Sequence, residues 1–583
     1  MPARWLLHTP DPERCALFTR ELGVLPLTAQ ILINRGLKDV DSAREFLSPQ
    51  LSDLAEPDLL PDIDRAAERV LEAARNNEKI LIYGDYDVDG TAATALLVRF
   101  LRMADLDVEY YVPHRIQEGY GLNMEAITEF SKRGVALIIT VDCGVSAVAE
   151  AEFAREQGID LIVTDHHEPG EGIAPACAVV DPKLTGCLYP CRELSGVGVA
   201  FKLAWAVAKR FSPGQKVSDE FRTFLLDSLG LVALGTVADV VPLLGENRVL
   251  VRYGLQALST ACGPGLRALI ESSRIRNTDL RTTDVAFGLG PRLNAAGRMG
   301  DASLAVELMI TEDPHAGEDL ARRLNHHNIE RQKLQSDVYQ HAREMVLQQP
   351  DFESTQAIVL AHDAWHAGVV GIVASKLVDE FHRPTALIAI DGGVGRGSAR
   401  SVPGFNLFNA LDTFRDRMIS FGGHEYAAGF QIALEHIPGL RDHLNRAAAR
   451  MAPGLFQSSI NVDAEAELPE VSDRLVGELE RLAPHGQGNP HPVLVARGLH
   501  VAGRPKLMGM RGQHISFYVS DGMASVRAVG FGLGDDLYDR ILGGARTCSV
   551  AFSPRFDTWS GSGALELHMK DVHLDKGDDR GNR

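Results

Sequence analysis

The chain has 583 residues, which is too many for one hydrophobic core and predicts roughly three or four domains of about 150 residues each. Hydrophobic residues make up 45% of the chain, and no stretch approaches the roughly 20 apolar residues of a membrane span, so we expect no membrane association. The net charge of −19 argues against tight non-specific duplex binding, but it leaves room for a carboxylate-rich metal site and a narrow basic channel.

Cysteine usage and the N-terminus indicate the compartment. The 7 cysteines are odd in number and form no CxxC pair, which argues against a disulfide framework and against a ribbon-type zinc site. The N-terminal sequence MPARWLLHTPDPER becomes charged too early for a signal peptide. We therefore expect a cytoplasmic protein.

The predicted elements begin with a helical cap over residues 1–65, which contains the runs PLTAQILINRG and DSAREFLSP. Residues 66–260 then alternate short β-branched runs with helices. The predicted strands are KILIYG, DVEYYV, VALIITVD, IDLIVTD and ACAVVD, and the helices between them include TAATALLVRFLRMA and SAVAEAEFAREQG. This alternation is typical of a doubly wound parallel sheet in an α/β domain.

Three further segments follow. Residues 261–350 are predicted to be helical and to end in a long helix, ARRLNHHNIERQKLQSDVYQHAREMVLQQ, that joins two lobes. Residues 351–455 form a second α/β domain with strands near QAIVLAH and TALIAI, a helix VVGIVASKLVDEF, and Gly-rich loops at GGVGRGSARS and FGGHEYAAGF. Residues 456–575 predict a five-stranded barrel of the OB kind, and residues 576–583 a disordered tail.

An acidic run comes directly after the first strand of the first α/β domain. In GDYDVDG, Asp85, Asp87 and Asp89 alternate with other residues, and three carboxylates this close repel one another unless a cation lies between them. An acidic turn or a calcium loop of the EF-hand type is the alternative, but the distal glutamate of such a loop should lie near position 96, which is Leu96. The run therefore favours a metal site.

Two other strands of this domain end in metal-binding residue types. VALIITVD ends in Asp142, and IDLIVTDHH ends in Asp165, His166 and His167. The carboxyl ends of parallel strands border the same crevice, so these groups should converge. A structural role for the histidines is the alternative, but mixed carboxylate and imidazole ligands suit manganese or a similar ion. Asp239, in the apolar run LVALGTVADVV, is either a further ligand or a helix cap.

The motifs GDYDVDG, VDCG, TDHH and GTVADVVPL, in this order and spacing, resemble the four successive motifs of the DHH phosphoesterases, and their RecJ branch in particular. The resemblance implies two divalent ions, Mn²⁺ or Mg²⁺, and a catalytic group made of Asp142, His166, His167 and His424. The implied metal ligands are Asp87, Asp89, Asp142, which bridges the ions, His166 and Asp239, with Asp85 beside them. Asp165 would orient a ligand from outside the set.

The prediction of the substrate-binding residues is based on the same resemblance. VPHRIQEGYGL carries Arg115, and FGLGPRLNAAGRMGD carries Arg292 and Arg298. The second α/β domain, which resembles the DHHA1 partner domain, offers GSARS (Ser398, Arg400, Ser401) and GGHEYAAG (Gly422, Gly423, His424). Arginine forks and exposed backbone N–H groups bind phosphate oxygens.

The resemblance implies a binding mode for the substrate. A 5′ phosphate would lie against Arg400, Ser398 and Arg115, with the next phosphodiester over the metals and His424 beside the scissile group. Ala399 departs from the more familiar form of the loop, GSGRS, and its methyl group would interfere if a phosphate approached the Cα closely.

The predicted barrel carries aromatic and basic residues among its strands. They are Phe517, Tyr518, Arg527, Arg555 and Trp559. Such residues form a surface that stacks on single-stranded DNA, or alternatively the aromatic ones belong to the barrel core.

The resemblance implies a single-stranded-DNA-specific exonuclease that releases mononucleotides from 5′ to 3′ by two-metal hydrolysis, in DNA repair and recombination. Expected partners are single-stranded DNA, a single-strand-binding protein and a helicase, and the protein is expected to be a monomer. The alternatives are a DHH-family oligoribonuclease or cyclic-dinucleotide phosphodiesterase, a family II pyrophosphatase, and a non-catalytic DNA-binding scaffold. Length argues against the pyrophosphatase, and the complete ligand set against the scaffold.

Overall fold

A computed structural model describes residues 3–115, 117–214, 216–275, 279–349, 352, 354–451, 456–557 and 563–574, without the side chains of residues 535 and 536. The chain forms two compact units, one of residues 51–456 and one of residues 1–50 with 457–583. The domain boundaries drawn from the sequence, including a cap of residues 1–65, stay predictions. The predicted disordered tail, residues 576–583, lies outside the described residues.

The elements follow one another along the chain in the order expected from the hydrophobic patterns. The strands are β1 (Arg4–Leu7), β2 (Lys79–Tyr83), β3 (Val108–Tyr111), β4 (Val135–Val141), β5 (Asp160–Thr164), β6 (Ala178–Val180), β7 (Ile358–His362), β8 (Thr385–Asp391), β9 (Val394–Arg400), β10 (Met418–His424), β11 (Ala427–Ala433), β12 (Ser459–Val462), β13 (Ala464–Glu465), β14 (Leu494–Met508), β15 (His514–Ser520), β16 (Ser525–Gly530), β17 (Thr547–Phe556) and β18 (Leu565–Leu574).

The helices are α1 (Pro12–Leu22), α2 (Pro26–Asn34), α3 (Val40–Leu47), α4 (Ile63–Asn76), α5 (Val88–Met103), α6 (Met124–Lys132), α7 (Val148–Glu156), α8 (Gly196–Phe211), α9 (Asp219–Ala238), α10 (Gly245–Thr260), α11 (Pro264–Ser272), α12 (Thr282–Asp284), α13 (Gly290–Met299), α14 (Ser303–Ile310), α15 (Pro314–Leu347), α16 (Ala367–Phe381), α17 (Leu407–Asp412), α18 (Ile437–Ala448), α19 (Asp473–Glu480) and α20 (Gly534–Leu542). A π-helical turn, Val285–Leu289, joins α12 to α13.

The first sheet of the larger unit is parallel throughout, with the strand order β3-β2-β4-β5-β6. Separate hydrophobic clusters cover its two faces, one including α4, α5, α8 and α9 and the other α6 and α7. The predicted doubly wound sheet is therefore confirmed. The strand order reverses between β2 and β4, and ligands of such sheets bind at this point, outside the carboxyl ends of the strands.

The second sheet has the order β10-β11-β9-β8-β7, and only β7 and β8 are parallel. The two Gly-rich segments predicted as loops are strands, so this part of the prediction was wrong. GGVGRGSARS contains β9, and FGGHEYAAGF contains the β10–β11 hairpin. The glycines leave room for large cross-strand neighbours, because a Cβ at Gly397 would lie 2.1 Å from the ring of Phe430.

Helix α15 is 34 residues long and connects the two α/β domains, as the polar run without Gly or Pro predicts. It contacts α11 and α13 on the side of the first domain and α16 in the second. Because of its length, this single rigid helix presents side chains to both domains.

Among the described residues, one helix has the length and hydropathy of a membrane span, so the expectation that no stretch approaches this composition was wrong. Helix α9 meets the criteria for a membrane span by its length and composition alone. Of its most apolar 18-residue segment, 61% is buried inside the fold. The core helix of a globular protein passes the same test, and α9 packs against α5, α8 and α10.

The smaller unit contains the predicted barrel. Strands β14, β15, β16, β18 and β17 follow one another, and β14 pairs with β17 to close the barrel. The N-terminal strand β1, which the helical patterns did not predict, pairs in parallel with β12. Arg35 of the N-terminal segment also forms a buried ion pair with Asp463 at 2.8 Å. The N-terminal segment therefore packs with the barrel.

Candidate metal centre and phosphate-binding residues

The acidic run after β2 forms the start of helix α5. Asp87 caps the helix, because its carboxylate accepts hydrogen bonds from the backbone N–H groups of Asp89 and Gly90 at 2.9 and 3.1 Å. The Asp89 carboxylate is buried and accepts from the N–H groups of Gly196 and Val197, at the start of α8, at 2.6 and 2.9 Å. The N-termini of α5 and α8 thus fix the positions of these two carboxylates.

Asp142 and His166 lie at the ends of the neighbouring strands and face this run. His166 Nε2 lies 3.0 Å from Asp142 Oδ1, 3.9 Å from Asp89 Oδ2 and 3.7 Å from Asp239 Oδ2. Asp142 has a φ of 63°, and Val240, next to Asp239, has a φ of 65°. Such values are uncommon for residues other than glycine and are costly for a β-branched one, and this strain is concentrated at the site.

Three overlapping groups of side chains have the geometry of metal ligands. They are Asp142, His166 and His167; Asp89, His166 and Asp239; and Asp85, Asp87 and Asp142, with the ligand atoms of each group within 4.8 Å of one another. Asp142 and His166 each belong to two groups. The arrangement has room for more than one cation.

The electrostatics of this pocket favour a bound cation. Burial, together with repulsion from neighbouring carboxylates, raises the pKa of Asp89 and Asp142 well above the usual range and raises that of Asp85 to about 8 and Asp239 to about 6. Asp85 Oδ1, Asp142 Oδ1 and both ring nitrogens of His166 are buried without a hydrogen-bond partner. Unpartnered oxygen and imidazole donors of this kind fit a divalent metal such as Mn²⁺.

Asp165 organises the loop beside the pocket. Its carboxylate accepts from the backbone N–H groups of Val145, His166 and His167, and Oδ1 lies 2.7 Å from His167 Nδ1. Burial opposes the charged form of His167, but the hydrogen bond to Asp165 and its charge outweigh burial and raise the pKa of His167 to about 9. Asp165 therefore orients His167, and the Tyr120 hydroxyl lies 3.1 Å from the same ring nitrogen.

The predicted phosphate-binding arginines Arg115, Arg292 and Arg298 contact neutral groups. Arg115 lies over the ring of Tyr86, and Arg298 donates to the carbonyl of Gly368 at 3.0 Å. Arg292 donates to Asn325 Oδ1 at 2.7 Å. Burial and the neighbouring guanidinium groups lower the pKa of Arg298 to about 9. Among the described residues, none of these three arginines forms an ion pair with a carboxylate.

The second α/β domain adds a further cationic group. Arg400 Nη1 donates to Ser398 Oγ at 2.9 Å and to the Ala399 carbonyl at 2.8 Å. Burial, then the charge of Arg115, lowers the pKa of Arg400. His424 ends β10, and burial, then the charges of Arg400 and His167, lowers its pKa. The narrow basic channel expected from the sequence stays a prediction.

Three family models match the chain: DHH family, N-terminal domain, over residues 79–236; DHHA1 domain, over residues 354–450; and RecJ OB domain, over residues 462–571. The single-stranded-DNA-specific exonuclease RecJ of Bacillus subtilis (strain 168) is 39% identical over 572 residues, which are 98% of this chain and 70% of that protein. The Escherichia coli (strain K12) enzyme of the same name is 33% identical over 96% of this chain and 94% of its own. The crystal structure of RecJ in complex with Mn²⁺ from Thermus thermophilus has a TM-score of 0.83 and 31% identity, and covers 98% of this chain and 80% of that one.

The chain belongs to the RecJ family. The predicted DHH, DHHA1 and OB-type domains are confirmed. The prediction of a metal-dependent nuclease is confirmed as well, because solved RecJ structures contain Mn²⁺ or Mg²⁺ and this chain has acidic and histidine side chains placed to bind such ions.

The departure from the more familiar RecJ loop, Ala399, has a structural explanation. Ala399 is buried in the core of the second sheet, on the face opposite Ser398 and Arg400, because successive side chains of a strand alternate. Its methyl group therefore points away from the side that carries Ser398 and Arg400. Ser401 is also placed differently than predicted, since its hydroxyl donates to the Phe405 carbonyl at 2.6 Å and holds the following turn.

Two of the glycines near His424 also differ in role. Gly423 has a φ of 148°, and a Cβ there would lie 2.4 Å from the Ala427 carbonyl, so this position requires glycine for backbone reasons. Gly422 has open space where a Cβ would be. Gly423 therefore shapes the hairpin that presents His424.

The residues predicted for DNA stacking on the RecJ OB domain divide into several groups. Phe517 is 2% exposed and belongs to the barrel core, so its assignment to the surface was wrong, whereas its neighbour Tyr518 is 53% exposed. Arg527 forms an ion pair with Glu566. Arg555 is half-buried on β17, and Trp559 lies outside the described residues. Strand alternation, which a short aromatic pattern does not reveal, decides between Phe517 and Tyr518.

Sequence reasoning missed two glycines that border the metal ligands. A Cβ at Gly196 would lie 2.6 Å from Asp142 Oδ1, and one at Gly235 would lie 2.5 Å from Asp89 Oδ1. Glycine inside or at the start of a buried helix, as in SGVGVAF and ALGTVAD, is a signal for such close approach.

Glu118 was also missed, although it holds the loop that carries Arg115. Its carboxylate accepts from the His114 N–H at 2.8 Å and from Asn123 Nδ2 at 2.9 Å, and it pairs with the Tyr111 hydroxyl. These bonds tie the end of β3 to the start of α6 across the loop. The loop conformation therefore depends on one carboxylate.

Proposed function

We propose that this protein is a single-strand-specific DNA exonuclease that removes mononucleotides from the 5′ end. The observation that carries the proposal is the position of the carboxylate and imidazole pocket beside a line of guanidinium groups without carboxylate partners. A cation-binding pocket next to uncompensated positive charge suits a substrate made of phosphodiesters. We propose further that the enzyme acts as a cytoplasmic monomer in DNA repair and recombination, with a helicase and a single-strand-binding protein as partners.

The residues that would hold two divalent ions, Mn²⁺ or Mg²⁺, are the five predicted ligands Asp87, Asp89, Asp142, His166 and Asp239. Asp142 and His166 are placed to be shared, because each contributes to two of the three ligand groups. Bound ions would supply the Lewis-acid chemistry that phosphodiester hydrolysis needs at neutral pH. Asp85 lies next to this set, and its buried carboxylate adds to the negative potential that attracts cations.

The DHHA1 domain would bind the end of the strand. Arg400 and Ser398 are joined by a hydrogen bond and lie near Arg115, so two guanidinium forks converge where a terminal 5′ phosphate would carry extra charge. The next phosphodiester would then lie over the metal-binding carboxylates. This placement supports removal of nucleotides from the 5′ end.

Two histidines would act on the scissile phosphate. His167 keeps a proton at neutral pH because Asp165 stabilises the charged ring, and its Nε2 is the atom left to donate to a phosphate oxygen. His424 is held neutral near Arg400 and can accept or donate a hydrogen bond on the other side. Both rings would orient the phosphate rather than form a covalent bond to it.

The test is product analysis in Mn²⁺ on 5′-labelled and 3′-labelled single strands with a duplex control, for the wild type and for Asp142→Ala. Stepwise loss of 5′ nucleotides from single strands only, abolished in the variant, is the expected result. Loss from the 3′ end would contradict the direction. Intact long strands with cleaved dinucleotides would favour an oligoribonuclease or cyclic-dinucleotide phosphodiesterase, and binding without hydrolysis would favour a scaffold.

The 5′ end requires its own test. Arg400→Ala should reduce the preference of the enzyme for 5′-phosphorylated over 5′-hydroxyl strands about tenfold or more, since a charge-assisted hydrogen bond contributes about 1.5–3 kcal/mol. An unchanged preference would remove Arg400 from the proposed 5′-phosphate site.

A further inference from the structure

Helix α15 carries a buried polar face that no motif predicted. Asn328, Arg331 and Gln335 recur at intervals of three and four residues and are 3%, 9% and 7% exposed. Polar side chains are rarely buried on a helix unless they bond to each other or to a ligand. This face therefore needs an explanation beyond packing.

The hydrogen bonds of this face hold Arg331 with neutral partners. Arg331 Nη1 donates to Gln335 Oε1 at 2.7 Å, and Nη2 donates to Asn328 Oδ1 at 2.6 Å. Arg331 Nε is buried without a hydrogen-bond partner. No described carboxylate lies within ion-pair distance of this guanidinium, whose positive charge is consequently left uncompensated.

Two other buried cations of the described chain are paired with carboxylates. Lys202 lies 2.8 Å from the carboxylate of Glu246, and Arg35 lies 2.8 Å from that of Asp463. Burying a charge is costly unless it is paired, so these carboxylates explain those two sites. An anion that is not part of the chain would provide the same compensation for Arg331.

The neighbours of Arg331 are also guanidinium groups on neutral partners. Arg292 is held by Asn325, again on α15, and by the Gly288 carbonyl at 2.6 Å. The charge of Arg292 lowers the pKa of Arg331 after burial, and Arg331 in turn acts on Arg298. The charges of Arg115 and Arg400 also lower the pKa of Arg298. Arg292 and Arg298 lie on helix α13, which packs against helix α15, the helix that carries Arg331.

We propose that Arg331, positioned by Asn328 and Gln335 and assisted by Arg292, binds an internal backbone phosphate of the single strand, downstream of the scissile bond. The proposal rests on the proposed function and deepens it, because it extends the substrate site from the two α/β domains onto the helix that connects them. Amide side chains orient the guanidinium without neutralising it, and its unpartnered Nε–H is left for a phosphate oxygen. Recognition through the backbone carries no sequence preference.

The experiment measures binding of a fluorescent, 5′-phosphorylated 12-nucleotide oligothymidylate to Asp142→Ala protein at several salt concentrations. Adding Arg331→Gln should weaken binding about 10- to 100-fold and reduce the slope of log affinity against log salt by about 0.7, the value for one phosphate contact on a single strand. Arg322→Gln is the matched control, because Arg322 lies on the same helix but is exposed and paired with Asp319 at 2.7 Å. The control should leave affinity and slope unchanged.

A second measurement uses the active enzyme. The preference of the wild type for a 12-nucleotide strand over a dinucleotide, expressed as a ratio of kcat/KM, should fall about tenfold or more in Arg331→Gln, since a dinucleotide is too short to reach the downstream site. An unchanged slope and an unchanged preference would show that Arg331 only bonds to Asn328 and Gln335 within α15, and would overturn the proposal.

Two further results keep this test independent of folding and of the proposed function. If Arg331→Gln does not fold, Arg331→Lys takes its place. Because lysine keeps the charge, this variant should lose affinity while the slope of log affinity against log salt stays at the wild-type value. A slope reduced by about 0.7, the value for one phosphate contact, would overturn the proposal. Failure of the proposed function would appear in the wild type itself, as no hydrolysis of single strands. Failure of the inference would appear only in the Arg331 variants.

Discussion

Replacing Gly235 by Ala should damage metal binding more than it damages the fold, although the added Cβ would also lie 2.7 Å from Cγ1 of the buried Val197. The added Cβ would lie 2.5 Å from Asp89 Oδ1, closer than the 3.0 Å below which real Cβ contacts essentially do not occur. The Asp89 carboxylate would therefore have to move by about 0.5 Å or more, whereas metal–ligand distances tolerate about 0.2 Å. Gly235 lies inside helix α9, where alanine is about 1 kcal/mol more favourable than glycine, so the helix itself gains stability.

The assay is calorimetric titration of Mn²⁺ together with thermal unfolding in chelator. We expect Mn²⁺ affinity to fall about 10- to 100-fold, the usual effect of disturbing the support of a ligand. The free energy of unfolding in chelator should fall by no more than about 1–3 kcal/mol, the usual cost of overpacking. Gly477→Ala is the matched control, because Gly477 lies in helix α19 and has nothing within 4 Å of the added Cβ. Wild-type Mn²⁺ affinity in Gly235→Ala would refute the reasoning that Asp89 is a ligand held in place by the absence of a side chain.

Four other variants or conditions test the structure. Glu118→Gln should raise KM for single strands several-fold with a smaller change in kcat, because it loosens the loop that carries Arg115; an equal change in both constants would speak against a positioning role. Ala399→Gly should lower the free energy of unfolding by about 1 kcal/mol through backbone entropy and leave the preference for 5′-phosphorylated ends unchanged; a changed preference would mean that the methyl group faces the substrate. Lys202→Met should lower the free energy of unfolding by about 3–5 kcal/mol, because it leaves the buried Glu246 carboxylate without its partner. In denaturant titrations, adding Glu246→Gln should recover part of this loss. Finally, the raised pKa of Asp85, about 8, means that the metal-free folded state keeps a proton that the unfolded chain has released. Stability measured by thermal unfolding in chelator should therefore fall as the pH rises from the unfolded value of 3.8, and the fall should end near pH 8, where the folded state loses the proton too; Mn²⁺ should reverse the fall, and a flat profile in this window would contradict the raised pKa.

Much of the site was predictable because the residues that form it lie in short sequence motifs. A short β-branched strand followed by an acidic residue is recognisable wherever it occurs, and parallel strands bring their carboxyl ends to one edge of the sheet. Asp89, Asp142 and His166 could therefore be expected to meet, and the structure brings their ligand atoms within a few ångströms. The same local logic predicted the connecting helix and the closed barrel.

The errors arose where local composition has two structural meanings. Gly-rich segments occur in loops and also in strands that pack closely on a neighbour. Here the Phe430 ring lies beside Gly397, and this contact, which the sequence does not reveal, shows that the segment is a strand. Phe517 and Tyr518 are adjacent in sequence and lie on opposite faces of the barrel wall. The register of the strands determines which one faces the solvent.

The sequence by itself determined the order of the domains, the strand ends that carry the metal ligands and the family to which the chain belongs, because these depend on residues close together in the chain. The tertiary structure alone decided which charges are left without a partner. Whether Arg331 meets a carboxylate or an amide, whether Ala399 faces the core, and whether Gly235 leaves room for Asp89 all depend on contacts between residues far apart in sequence. Compensation of a buried charge is a property of the packed fold, and no local pattern encodes it.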